Sequence, residues 1–164
     1  MAVDVRLGDP EDVNAALSVY ERSNLARRHG TWPSRASRLA EVAAKLRDTL
    51  SWFLLAREGD AVVAMALVVP QRADRGAGAV VEGSSFLSLI YVLPDRWGRG
   101  IGGAVLDAVI GEAARRGSRR IHLWTHERDN ERAHRLYLGG GFRRTGTTGA
   151  DEQGEPIAEW LRDG

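Results

Sequence analysis

The stretch LPDRWGRGIGGAVL, Leu93 to Leu106, places Gly98, Gly100, Gly102 and Gly103 within six positions and then runs into apolar sequence. An apolar run, FLSLIYVL, precedes it, so the order reads strand, glycine-rich turn, helix. Such a turn aims free backbone N–H groups and the positive end of a helix dipole at one point, and an anion is attracted there. Lacking Cβ atoms, the main chain can approach phosphate oxygens closely, while Arg96 and Arg99 add charge at the rim. A phosphate-bearing ligand is the chemistry this segment suits. A tight turn with close helix-to-sheet packing is the plainer use of the same glycines.

Gly98, Gly100 and Gly103 formally satisfy GxGxxG, the dinucleotide fingerprint. A dinucleotide turn, however, leaves its strand almost at once and usually opens its domain, whereas here Pro94 and its neighbours intervene and about ninety residues come first. A nicotinamide-dependent oxidoreductase therefore has only the literal glycine match behind it. No Gly-Lys-Ser/Thr loop is present to support nucleoside triphosphate hydrolysis.

The second segment is HERDNERAHRLYLGGGF, in which seven residues separate Asn130 from Tyr137. On a helix that spacing turns both side chains to nearly the same face, roughly 10 Å apart along the axis, so one ligand can touch both. A helical tyrosine can equally be a buried ring whose hydroxyl meets a carbonyl. His122 and His126 suggest zinc, but RRIHLWTH alternates like a strand, which sets the two roughly 13 Å apart, too far for one ion. No metal is expected.

IYVLPDRWGRGIGGAVL resembles the acetyl-CoA-binding segment of the GCN5-related N-acetyltransferase (GNAT) family, whose core is Gln/Arg-x-x-Gly-x-Gly/Ala after a strand and a Val-x-Pro turn. Trp97 stands at the Gln/Arg position, with Gly100 and Gly102 as the two small residues. HERDNERAHRLYLGGGF is similar to the family's later motif through Asn130, Leu136, Tyr137, Gly141 and Phe142. The resemblance implies that backbone amides from Gly98 through Arg99, Gly100, Ile101 and Gly102 to Gly103 hold the CoA pyrophosphate. It implies too that the main chain of Ile90, Tyr91 and Val92 pairs with the pantetheine arm like an extra strand. Asn130 would hold the pantetheine amides, and Tyr137 would protonate the departing thiolate. The implied chemistry is direct attack of a neutral primary amine on the acetyl-CoA thioester, with N–H groups near Tyr91 stabilising the oxyanion and no covalent intermediate.

Many relatives place a general base on a central strand or just before the Asn motif. Thr125, five residues before Asn130, cannot serve. Glu82, His126 and Glu127 are the substitutes, directly or through a water chain. Histidine has the better intrinsic pKa for the task, although one at a strand end is often merely solvated. The missing base also leaves room for a catalytically silent member that binds acetyl-CoA as a sensor or partner module. The acceptor, a small-molecule or peptide amine, stays open; Trp32 either lines its pocket or packs two helices together.

The elements that must position these residues read as follows. VDVRL alternates like a strand, GDPED supplies a helix start, and residues 11–28 and a stretch around Leu39, Val42, Ala43 and Leu46 carry helical periodicity. SWFLLARE, GD and AVVAMALVV form a hairpin, and QRADRGAGAVVEGSS reads as a long connection that covers a site or floats free. A helix runs from the glycine stretch to a cap at Gly117, a strand holds Ile121, Leu123 and Thr125 on one side, and FRRTGTT and EPIAEWL close the chain as strands. With the resemblance, the expectation is a single α/β GNAT-like domain over 1–164: a twisted mixed sheet of about seven strands flanked by about four helices, with the cofactor in a splay between the fourth and fifth strands. The 23 Lys and Arg nearly balance 22 Asp and Glu, there is no cysteine, and neither an N-terminal apolar block nor a spanning run appears. A cytoplasmic protein with no nucleic-acid or membrane partner is expected. Relatives are often homodimers, and by that analogy PIAEWL would offer an edge to a second copy.

Overall fold

A computed structural model describes residues 3–27 and 36–164. Trp32, offered above for the acceptor pocket, and Arg28, the expected end of the first helix, lie outside the described residues. The elements in chain order are β1 (Asp4–Leu7), α1 (Val13–Arg27), α2 (Ala36–Arg47), β2 (Trp52–Glu58), β3 (Ala61–Arg72), β4 (Val80–Val92), α3 (Ile101–Arg115), β5 (Arg120–His126), α4 (Glu131–Gly139), β6 (Arg143–Ala150) and β7 (Pro156–Asp163). Seven strands form one mixed sheet in the order β1-β2-β3-β4-β5-β7-β6, which is the α/β architecture expected. The chain packs as two compact units, Met1–Val69 with Leu89–Val109, and Pro70–Ser88 with Ile110–Gly164.

In the first unit, Asp9 opens the 3-10 turn that leads into α1 through a reciprocal capping box with Asp12. Val13, Ala16, Val19 and Tyr20 recur at helical spacing on the buried face of α1, and Val42 and Leu46 do the same on α2. Phe53 to Ala56 and Val63 to Val68 are buried without interruption, as strands covered on both faces must be. Gly8 is needed at the end of β1 because a methyl group there would collide with the Phe53 ring.

In the second unit, Leu123 of β5 lies opposite Trp160 of β7, and these two with Ile121, Phe142 and Ala158 make the core. Gly117, at φ +81°, lets the chain turn off α3, and the Ser118 N–H closes the helix end on the Ala113 carbonyl at 2.9 Å. The parallel ladder between β4 and β5 comprises three pairs, Ser84 with Arg120, Ser85 with Ile121 and Phe86 with His122. By contrast β5 pairs with β7 through all seven of its residues.

Two expectations are corrected. QRADRGAGAVVEGSS is about half strand: β3 continues to Arg72 and β4 begins at Val80, leaving a short link closed by the Ala73 N–H on the Ala79 carbonyl at 2.9 Å. Its glycines and charges masked the pattern because this part of β4 is exposed rather than half-buried, so alternation had nothing to mark. PIAEWL, the core of β7, lies between β5 and β6 and presents no edge; the outer strand is β6.

Candidate cofactor and active site

β4 ends at Val92, and the Leu93 N–H bonds the Val63 carbonyl at 2.8 Å before the chain enters a 3-10 turn at Pro94–Arg96. Gly98 and Gly100 follow with φ of +80° and +78°, a conformation that side chains with a Cβ rarely adopt. A Cβ added at Gly98, Gly100 or Gly103 would meet nothing within 4 Å. Close helix-to-sheet packing is therefore not what these three glycines serve; their faces are open. α3 starts directly behind them at Ile101 and runs for 15 residues, so its first N–H groups and dipole point back into the turn.

The charges at the rim differ from expectation. Arg96 is turned away, its Nε 3.1 Å from Glu58 and an Nη 2.6 Å from Asp95, because both carboxylates lie within its reach. Arg99 is exposed and has no ion-pair partner among the described residues. Ile90, Tyr91 and Val92 are half-buried at the end of β4, with the Tyr91 ring edge-on to Tyr20 at 5.4 Å. The Val92 carbonyl accepts from the Trp97 indole N–H at 2.8 Å and from the Ser23 hydroxyl at 3.2 Å. Both lone pairs are thus engaged, and the strand-like pairing envisaged for Val92 cannot use its oxygen.

In the other unit, Asn130 precedes α4 and makes no capping bond from its side chain. Its amide nitrogen donates to Thr125 Oγ1 at 2.7 Å and to the His126 carbonyl at 2.9 Å, bonds that do not use the amide oxygen. Tyr137 is 7% exposed, with its ring 5.9 Å from Phe142 and 6.0 Å from Trp160. Trp160, fully buried, also stacks on His134 at 5.4 Å. Since Trp160 pairs with Leu123, α4 covers the face of β5 that carries Leu123 and Thr125.

His126 projects from the opposite face of β5 by strand alternation, where its Nε2 lies 2.7 Å from an Asp151 carboxylate oxygen. Burial works to raise the Asp151 pKa, but hydrogen bonds from His126 and from the backbone N–H groups of Glu155 and Gln153 outweigh it and hold the carboxyl below its ordinary value. Glu127 is ion-paired with Arg144 at 3.3 Å, and that guanidinium lies over the Trp160 ring at 4.7 Å from its centre. Glu82 stands beside Gly83, Arg119 and Arg120, at the start of β5. It is separated from the His126 end by the length of that strand, about 20 Å. Asp151 was not singled out from the sequence, and neither was Ser23; each meets its partner only through the fold. Among the described residues no group of three His, Asp or Glu side chains can hold a metal ion, and no helix is long and apolar enough to cross a membrane.

Comparison with known proteins bears on these two segments. The model of the acetyltransferase (GNAT) family matches residues 15–142, which include the glycine turn and Asn130 to Phe142. No curated protein matches the chain. Among solved structures, the ribosomal-protein-S18-alanine N-acetyltransferase of Escherichia coli is similar with a TM-score of 0.76 at 20% identity, over 99% of this chain and 94% of that one. An N-acetyltransferase of Staphylococcus aureus gives 0.76 at 20% identity over 99% of each chain. The PaiA N-acetyltransferase of Thermoplasma acidophilum, solved in complex with coenzyme A, gives 0.72 at 18% identity over the whole of both chains. The family match spans most of the sequence and both motif segments, and the chain belongs to the GNAT acetyltransferase family.

Proposed function

We propose that the chain transfers an acetyl group from acetyl-CoA to a primary amine by direct attack, with Tyr137 as general acid. The observation that carries this reading is the open glycine turn at the head of α3: φ is positive at Gly98 and Gly100, and space is clear outside Gly98, Gly100 and Gly103. Those faces fit a diphosphate held by the main chain from Gly98 through Arg99, Gly100, Ile101 and Gly102 to Gly103, with the Arg99 side chain as the added cation. Ile90 and Tyr91 offer main-chain groups to the pantetheine amides, and the Asn130 amide oxygen accepts from one of their N–H groups. Acetyl-CoA supplies the activated acyl carbon and the thiolate leaving group.

Amine nitrogen forms a bond to the thioester carbonyl carbon, the carbon–sulfur bond breaks, the Tyr137 phenol gives its proton to sulfur, and the proton that the nitrogen sheds as it becomes an amide passes through water to restore the phenol. Of the three base candidates, Glu82 is at the wrong end of β5 and Glu127 is neutralised by Arg144. His126, oriented by Asp151, is the remaining one, and it takes the ammonium proton before attack. Because His126 projects from the face of β5 opposite the one that α4 covers, the proton reaches it through water before attack and not in direct contact with the thioester.

Thiol release from acetyl-CoA across a panel of amines tests this. Turnover on at least one amine is expected, with kcat lowered about a hundredfold or more in Tyr137→Phe and the Kd for acetyl-CoA within twofold. Tight CoA binding without turnover on any amine would favour the silent sensor instead.

A further inference from the structure

The turn contains a side chain that its chemistry does not obviously require. Trp97 is 39% exposed, so it is not a core filler, yet its indole N–H reaches back to the Val92 carbonyl at 2.8 Å. Backbone bonds hold the chain as far as Trp97: Leu93 to Val63, Arg96 to Leu93 and Trp97 to Pro94. They resume with the Ala104 N–H on the Gly100 carbonyl at 3.2 Å. In between, Gly98 lies in a turn and Arg99 and Gly100 in a bend, and among the described residues the N–H groups of Gly98 and Arg99 make no backbone bond of the length and angle of those flanking ones. Glycine has the widest choice of backbone conformations, so a segment with Gly98 and Gly100 at its ends would wander unless something outside its own backbone set its entry. The indole is that something. The Val92 carbonyl is a firm anchor, since Ser23 from α1 holds the same oxygen at 3.2 Å.

We propose that Trp97 is a positioning residue for the phosphate loop: by clasping the end of β4 it sets the course of the chain through Gly98 and Gly100, so the loop N–H groups face a diphosphate before the cofactor arrives. This rests on the acyl-CoA reading above. The indole has a single N–H and donates it to the Val92 carbonyl, so its part is to orient the loop through Val92. The clasp also closes the Val92 oxygen to the cofactor, so any strand-like pairing through β4 carbonyls ends at Tyr91.

Trp97→Phe keeps an aromatic ring and removes the donor; replacement by 3-benzothienylalanine exchanges only the N–H for sulfur and serves if the phenylalanine variant melts early. Calorimetric titration with CoA is compared with titration by S-acetyl-pantetheine, which has no diphosphate. The expected result is a Kd for CoA raised about tenfold, the size of one lost hydrogen bond, with the Kd for S-acetyl-pantetheine within twofold. Equal CoA affinity in variant and parent would overturn the proposal. Equal loss for both ligands would overturn it too, since the indole would then act on the end of β4 and not on the loop. If the parent protein binds neither CoA nor acetyl-CoA, the acyl-CoA reading falls first and takes this proposal with it.

Discussion

Gly103 allows the two uses of a glycine to be told apart by sign. It lies in the first turn of α3, its φ is not positive, and a methyl group there would meet nothing within 4 Å. Gly103→Ala therefore adds no strain and no clash to the protein alone. It gains the helix preference of alanine over glycine, about 0.5–1 kcal/mol. For a chain of this length that raises the melting temperature by about 1–4 °C. If the main chain here approaches a diphosphate, however, the same methyl stands between amide and phosphate, and CoA affinity falls by about tenfold or more, the cost of at least one charge-assisted hydrogen bond. Thermal melts of the free protein, read beside CoA titrations, give both quantities from one preparation. A more stable variant that binds CoA like the parent would refute the reasoning, because the open face of Gly103 would then not be the ligand's face.

His126→Ala should lower kcat for amine acetylation about a hundredfold while the Kd for CoA stays within twofold; unchanged turnover over the panel would remove His126 as base. Glu112 of α3 is buried and bonded to Arg115 and Arg116, and the Arg115 hydrogen bond leads in holding its pKa below the ordinary 4.5. A carboxyl depressed in the folded state stabilises it above the unfolded value and loses that contribution as pH falls through the folded one. The stability gap between the parent and Glu112→Gln should therefore be widest above pH 4.5 and narrow steadily below it in urea melts; a gap independent of pH would contradict the pairing.

The parts of the candidate site that the sequence displays are local. The glycine turn needs only neighbours in sequence to reveal strand, turn and helix, and Asn130 and Tyr137 sit on one short helical segment. What escaped is non-local. His126 meets Asp151 25 residues later, Arg96 is drawn off by Glu58 38 residues earlier, and Ser23 reaches Val92 across 69 residues. No local pattern encodes such pairings. Strand order escaped for a related reason: β6 and β7 follow one another in the chain, but the sequence does not say that the later one lies inward. The outer part of β4 was hidden by its exposure, since alternation becomes visible only where one face is buried.

The two outermost strands of the sheet share a property that concerns crowding. β1 is four residues long, and β6 is exposed throughout, carries the adjacent Arg143 and Arg144, and slips register between Arg144 and Thr148 near Gly146 at φ +94°. A short rim on one side and a bulged, cationic rim on the other give a foreign strand little straight backbone to zip onto. A chain made at high abundance is thereby guarded against accreting into ribbons, a safeguard that lies in its margins and leaves the glycine turn and α4 untouched.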